Sequence, residues 1–367
     1  MSDPIRYLTI NGFKSIRRLE RFELNRLNIL IGANGSGKSN FVSYFHMLAE
    51  MVEERLQPWV SQQGGAERIL SFGVKITHSF ESCAEFGQNK YKFALKPVAD
   101  DSLFYAEEAL YYKGDHYAKE GIWYSLHSGH KEAKIKNEIK TRPVAEYCYK
   151  SISNWKVYHF HDTGDTAAIK RLGSVQDNAY LRSNASNLAA FLYRLQNESP
   201  DVYEKIRRMV RLAIPFFDDF ILRPQPLQNG EEQIRLLWRQ KGSDYPLWSS
   251  QLSDGSLRFM CLVTALLQPT PPSTIIIDEP ELGLHPYAIT LLGALLRSAS
   301  KRMQVIVSTQ SVPLLNEFSL SDLVVVEREN EETVFKRLNE RDFSAWMEDY
   351  SIGELWEKNI LGGRPQL

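Results

Sequence analysis

An α/β fold, built on a mixed sheet flanked by helices and joined by an antiparallel β lobe and a mixed insertion, is what the sequence predicts. Three observations predict it. The apolar run Leu27–Ile31 leads straight into a glycine-rich segment and from there into residues spaced at helical period. The last third of the chain alternates apolar strand-like runs with helix-period stretches, as in a sheet covered by helices. Between these parts, from about residue 70 to residue 160, aromatic residues separated by polar residues and glycine read as short antiparallel strands.

Along the chain, residues 7–10 alternate and are followed by Asn11-Gly12, a turn signal, after which residues 22–24 and Leu27–Ile31 read as strands. Past the glycines, Phe41, Val42, Phe45, Leu48, Ala49 and Val52 recur at helical spacing, and this helix is expected to fade near Pro58 and the Gly64-Gly65 pair. The aromatic middle holds Tyr91-Lys92-Phe93, Phe104-Tyr105, Tyr111-Tyr112 and Trp123-Tyr124, residue types that suit a pleated, half-buried surface. Residues 187–195 and 203–213 are helical, with Val202, Ile206, Met209 and Ala213 on one side of the second helix. A helix after Leu257, a strand over 274–277, a helix over 289–299 and strands over 305–308, 323–326 and 333–337 complete the pattern. Gly362-Gly363-Arg364-Pro365 reads as a loose tail.

With 367 residues, 43% of them hydrophobic and 24% charged, the chain has the composition of an ordered protein and enough material for one large core or two. The formal charge of -1 argues against a general nucleic-acid coat, so any anion-binding surface is local. Cys83, Cys148 and Cys261 are widely spaced, with no CxxC pair for zinc and no disulfide framework, and a reducing cytoplasm is the expected compartment. No run of about 18 apolar residues could span a bilayer and no secretory leader is recognisable, so no membrane association is expected.

Gly32-Ala33-Asn34-Gly35-Ser36-Gly37-Lys38-Ser39 matches GxxxxGK[ST], and it lies after an apolar strand and before a helix, the setting this motif physically requires. Gly32, Gly35 and Gly37 let the backbone wrap closely, so that N–H groups of Asn34, Ser36 and their neighbours face phosphate oxygens. Lys38 adds a charge for the β and γ phosphates of ATP, and Ser39 places its hydroxyl on Mg2+. In Thr274-Ile275-Ile276-Ile277-Asp278-Glu279-Pro280 an apolar strand delivers two carboxylates to its C-terminal end, where ligands gather in open α/β sheets. Asp278 is the second expected Mg2+ residue, and Glu279 the expected general base for the attacking water. The bland alternatives, an incidental glycine turn and a solvated acidic corner, lose weight because the two motifs occur together.

Phe13-Lys14-Ser15, the glycine loop with Asn40 after it, Leu252-Ser253-Asp254-Gly255-Ser256, and the run from Asp278-Glu279-Pro280-Glu281 to His285-Pro286 together resemble an ABC-type ATPase. Within that class the resemblance is to the SMC and RecF-like heads, over roughly residues 5–45 and 180–340. It implies a P-loop NTPase with an ABC-type head, ATP and Mg2+ as ligands, and Asn40 as a further nucleotide residue. It also implies a head-to-tail homodimer in which Ser253 and Gly255 touch the γ-phosphate held by the other copy's loop. The residues themselves agree, because Ser253 is a good helix cap that leaves N–H groups for an anion. The resemblance makes the chain a single head over 1–367, with an N-terminal lobe over 1–68, a β-rich insertion over 69–180 and a C-terminal lobe over 181–367.

Stand-alone heads of this kind resemble bacterial phage-defence ATPases that work with a separately encoded effector. Long heptads are absent between the loop and Leu252, so no coiled-coil arm is expected, and neither is the C-terminal nuclease domain of OLD-type relatives. The family usually carries a histidine that senses the γ-phosphate where this chain has Gln310, which can hydrogen-bond phosphate or water but carries no imidazolium charge. Gln310 is therefore the second expected catalytic residue, and slow turnover or a nucleotide-gated module without hydrolysis is the alternative function. Gln88 is the one candidate for the glutamine that bridges Mg2+ between the lobes.

Weaker features have ordinary readings. His159-Phe160-His161-Asp162 has two imidazoles and a carboxylate in metal-like order, but no further ligand is well spaced, and polar contacts in a sheet or loop are the expectation. Arg207, Arg208 and Arg211 share a helix flank; with Lys170-Arg171 and the basic run over 131–142 they permit nucleic-acid binding without requiring it. His285 is expected at a dimer contact.

Overall fold

The computed structural model describes residues 3–114, 120–160, 162–164 and 166–363. Its centre is a six-stranded sheet in the order Glu332–Arg337, Leu323–Glu329, Leu27–Ile31, Gln304–Thr309, Thr274–Asp278 and Lys156–Tyr158. All neighbours run parallel except the Glu332–Arg337 edge, which returns antiparallel as a hairpin. Parallel strands are covered on both faces, which explains why these segments read as continuous apolar runs. Leu27, Ile29 and Ile31 point into one core while Leu30 points into the other, and Ile275, Ile277, Val305 and Val307 alternate with Ile276 and Ile306 in the same way.

The first core is closed by the helices Leu188–Glu198, Pro200–Ala213, Asp254–Leu267 and Pro286–Ser300. The second lies between the sheet, the helix Lys38–Val52 and an antiparallel lobe. In that lobe the strand order is Ile16–Glu23, Tyr7–Phe13, Phe80–Phe86, Asn89–Pro97, Leu103–Tyr112, Ile122–Ser125. The β-rich segment after residue 69 therefore extends the N-terminal hairpin, with Tyr91, Phe93 and Tyr105 turned into the core. Lys38–Val52 buries Phe41, Val42, Phe45, Leu48, Met51 and Val52, each such burial stabilising by about 1.5–3 kcal/mol. Phe45 also meets Trp155 edge to face at 5.3 Å, and these contacts fix the direction in which the helix leaves the glycine loop.

Four local expectations need correction. Asn11-Gly12 stays within the strand Tyr7–Phe13, and the chain turns instead at Lys14-Ser15, with Lys14 at φ 49. The first helix ends at Val52, and Pro58 sits in the first turn of a separate helix, Leu56–Gln63, where its missing N–H costs nothing. The segment after residue 125 is not strand-rich: Pro143–Ser153 is a helix whose Pro143 occupies the first position. Gly362 and Gly363 are not loose, because the Gly363 carbonyl accepts the Ala33 N–H at 2.8 Å and its N–H reaches Glu327 at 2.6 Å. Arg364 and Pro365 lie outside the described residues. Among the described residues the longest helices have 15 residues, and none is long and apolar enough to cross a membrane.

Candidate functional site

Three neighbouring parallel strands end on the same edge of the central sheet. Ile31 runs into the glycine loop, Asp278 ends the acidic strand, and the strand between them ends at Thr309 beside Gln310. The register pairs Thr309 with Ile31 and Asp278 with Ser308, so the three chain ends lie level with one another.

In the loop, Lys38 is buried and donates from Nζ to the carbonyls of Gly32 at 2.7 Å and Ala33 at 2.9 Å, spanning the loop from within. Burial pushes its ammonium below the ordinary lysine value, and the carboxylates of Glu279, Asp278 and Glu281 act in the opposite direction. Gly37 begins the helix at φ 107, a conformation open chiefly to glycine, and a Cβ there would lie 2.0 Å from Thr333 Oγ1. Asn34, Gly35 and Ser39 are exposed, while Ser36 is buried. Asn40 donates from Nδ2 to Ser15 Oγ at 2.6 Å, which brings the Phe13-Lys14-Ser15 turn to the start of the helix.

Glu279 leaves the strand at φ 43, an unfavourable conformation for a residue with a Cβ, and its N–H is held by the Ser308 carbonyl at 2.8 Å. Its Oε1 accepts from Gln310 Nε2 at 3.0 Å, and the same carboxamide donates to Asn34 Oδ1. Gln310 thus joins the acidic strand end to the glycine loop. Glu281, which residue patterns gave no reason to single out, holds this group in place: its Oε1 accepts from Thr309 Oγ1 at 2.5 Å and from the Gln310 N–H at 3.2 Å. Burial raises the Glu281 carboxyl above its usual value.

Several buried oxygens here have no hydrogen-bond partner among the described residues: Asp278 Oδ1, Glu281 Oε2, Ser36 Oγ and Ser308 Oγ. An unsatisfied carboxylate oxygen at a strand end beside a phosphate-type loop fits a divalent cation. No cluster of three or more His, Cys, Asp or Glu among the described residues could hold a metal by itself. That suits Mg2+, which is commonly bound through one or two protein oxygens plus phosphate oxygens.

The Leu252-Ser253-Asp254-Gly255-Ser256 segment leads into the helix Asp254–Leu267, with Ser253 as N-cap accepting the Ser256 N–H at 3.2 Å. Gly255 packs directly on the loop after the acidic strand, since a Cβ would fall 2.0 Å from the Gly283 carbonyl. Arg258 adds a second tie, from Nε to the Phe160 carbonyl at 2.8 Å and from its terminal nitrogen to the Leu282 carbonyl. Ser253 and Asp254 themselves stay exposed. His285 caps the helix Pro286–Ser300, its Nδ1 accepting the Tyr287 N–H at 3.3 Å, and exposed Leu282 and Tyr287 lie beside it in sequence.

The other candidates lie elsewhere or are engaged. Gln88 sits at the turn between Phe80–Phe86 and Asn89–Pro97 in the antiparallel lobe, where its carbonyl accepts the Lys113 N–H. His161 lies outside the described residues, and the His159 N–H donates to the Ser183 carbonyl. On the helix flank that permitted nucleic-acid binding, Arg207 pairs with Asp219 and Glu204, and Arg211 with Asp218. Lys131, Lys136 and Arg142 likewise pair with Asp100, Glu53 and Glu138.

Comparison with known proteins bears on the family and the fold. A model of the AAA_21 family, described as AAA domain, putative AbiEii toxin, Type IV TA system, matches residues 148–316. The DNA repair protein RecN of Aquifex aeolicus (strain VF5) is 31% identical over 94 residues, 26% of this chain and 18% of the length of RecN. An Smc head bound to the C-winged helix domain of ScpA aligns with a TM-score of 0.58 at 14% identity, over 92% of this chain and 99% of its own. An Smc head with an extended coiled coil, bound to the C-terminal domain of ScpA derived from Pyrococcus furiosus, aligns equally well, at TM-score 0.58 and 14% identity over 94% and 99% of the two chains. At that identity the likeness is one of fold.

Proposed function

We propose that this chain, with the fold and the motifs of an SMC/RecF-like ABC-type P-loop ATPase, binds ATP with Mg2+ at residues 32–40 and hydrolyses it. The observation that carries this reading is the meeting of Lys38, the unsatisfied Asp278 Oδ1 and Glu279 at one sheet edge. Gly32, Asn34, Gly35, Ser36 and Gly37 wrap the phosphates through the backbone, and Lys38 exchanges its carbonyl partners for phosphate oxygens. Ser39 and Asp278 hold Mg2+, which when bound neutralises charge on the β and γ phosphates. Glu279 takes a proton from the attacking water, and Gln310 orients that carboxylate. Residues 1–68 and 181–367 supply the two halves of the site within one cytoplasmic head, with 69–180 inserted between them.

The head works as a homodimer, Ser253 and Gly255 of one copy completing the site of the other, and its opening and closing switches a nucleic-acid or effector partner, as in phage defence or DNA maintenance. What supports this is the exposed Ser253 cap on a helix tied to the loop after Glu279. Smc heads bound to ScpA domains, and RecN as a DNA repair protein, offer models of such partners. Ser253→Arg should leave ATP binding intact and abolish ATP-driven association in light scattering. A variant that dimerises normally with ATP would reduce residues 252–256 to an ordinary helix start.

A second reading, a slow or non-hydrolysing nucleotide-gated module, is favoured by Gln310, whose carboxamide ties Glu279 to Asn34. Phosphate release with and without DNA separates the two. Gln310→His should remain folded and keep its ATP affinity in an equilibrium titration, because the loop holds the phosphates through its own backbone N–H groups and Lys38; lost binding would mean that the tie from Gln310 to Asn34 sets the loop for ATP.

A further inference from the structure

We propose that Thr333, acting through Ser15, is a positioning residue that presets the phosphate loop and so sets its affinity for ATP. The inference rests on the nucleotide reading given above. Thr333 lies on the edge strand Glu332–Arg337, far from the loop in sequence, and is buried with 2% exposure. Its Oγ1 donates to the Ser36 carbonyl at 2.9 Å and lies 2.7 Å from Ser15 Oγ, which in turn accepts from Asn40 Nδ2 at 2.6 Å. The Thr333 N–H donates to the Ser15 carbonyl at 2.8 Å.

Donor accounting gives this chain of bonds one direction. The Asn40 nitrogen can only donate and the Ser36 carbonyl can only accept, while each hydroxyl has a single proton. Thr333 spends its proton on Ser36, so Ser15 must give its own to Thr333. The relay runs from Asn40 through Ser15 and Thr333 to the Ser36 carbonyl, and it spans both ends of the segment that carries Lys38 and Ser39.

The last bond fixes a peptide plane. Because the peptide is planar and trans, a Ser36 carbonyl turned toward Thr333 turns the Gly37 N–H to the opposite side of the loop. Loops of this type bind phosphate through such aligned N–H groups, so the orientation of this plane is a binding determinant. The fit is mutual, because only a residue without a Cβ leaves Thr333 space against position 37. The neighbouring Arg17 to Glu332 ion pair, 2.7 Å long, is partly exposed, joins the edge strand to Ile16–Glu23 and not to the loop, and contributes little.

The test compares wild type with Thr333→Val, Thr333→Ser and Ser15→Ala in titrations of a fluorescent ATP analogue with Mg2+, alongside steady-state phosphate release and thermal unfolding. Valine fills the same volume but leaves the Ser36 carbonyl and the Ser15 proton without partners, so Kd and KM should rise about tenfold while kcat falls far less. Thr333→Ser should restore wild-type affinity, and Ser15→Ala, which keeps the final bond, should weaken binding by a smaller factor. A purely structural threonine would lower the melting temperature without moving Kd among folded molecules. Wild-type affinity in Thr333→Val, or equal losses in the valine and serine variants, overturns the proposal. If the valine variant fails to fold, Ser15→Ala decides, and unchanged affinity there overturns it. Wild-type protein that does not bind the Mg2+–ATP analogue overturns the nucleotide reading itself.

Discussion

Lys38→Ala is expected to weaken ATP binding about 100-fold, which at ordinary concentrations removes turnover as well. The side chain supplies a charge-assisted bond to phosphate, and removing such a bond typically costs about 1.5–3 kcal/mol. It also spans the Gly32 and Ala33 carbonyls, so the empty loop loses its internal brace. Neither effect reaches the helix interior, where Phe41, Phe45 and Leu48 hold Lys38–Val52 to its core. Thermal unfolding should therefore remain cooperative with a modestly lower midpoint, and isothermal titration should find no saturable ATP binding in the range where wild type saturates. A variant that binds ATP as wild type does removes the loop from the account.

The second large effect is expected from Glu279→Gln, which should slow hydrolysis by about 10² to 10⁴ while leaving binding in place. Glutamine keeps the oxygen that accepts from Gln310, so the geometry between the acidic strand end and the loop survives. What it lacks is the capacity to take a proton. Removing one negative charge near the γ-phosphate should, if anything, favour the bound state, and the ATP-filled dimer should accumulate in size-exclusion chromatography. Single-turnover hydrolysis at the wild-type rate would leave Asp278 and Glu279 as a Mg2+ site only and move the binding-module reading ahead.

The residues proposed for the site were more legible in the sequence than the scaffold around them, for physical reasons. The loop and the acidic strand are local: adjacent residues carry the chemistry, and an apolar strand fixes where they are delivered. Burial on both sheet faces likewise made the strands over 274–277 and 305–308 legible as unbroken apolar runs. Contacts between distant segments left no such trace. Thr333 is an unremarkable strand residue until the hairpin carries it to Ser36, and Glu281 reads as one acid among several until folding sets it under Thr309 and Gln310. Asn11-Gly12 looked like a turn because its composition suits one, yet Asn11 pairs with both neighbouring strands, and Gly12, at φ 88, bends within the strand without ending it. The arginines over 207–211 permitted an anionic partner without requiring one, and Asp219 and Asp218 on the next strand pair with Arg207 and Arg211. Gly362 and Gly363 looked like tail composition, while the backbone groups of Gly363 complete bonds to Ala33 and Glu327.

The central claim is that residues 32–40 and the Asp278-Glu279 pair form one Mg2+–ATP hydrolysing site. Its most direct test is phosphate release by purified protein at saturating ATP, measured with and without Mg2+ for wild type, Lys38→Ala and Glu279→Gln. The account predicts Mg2+-dependent release by wild type, none above background from Lys38→Ala, and release reduced about 10² to 10⁴-fold in a Glu279→Gln protein that still binds ATP. Release that persists at the wild-type rate in both variants would contradict it.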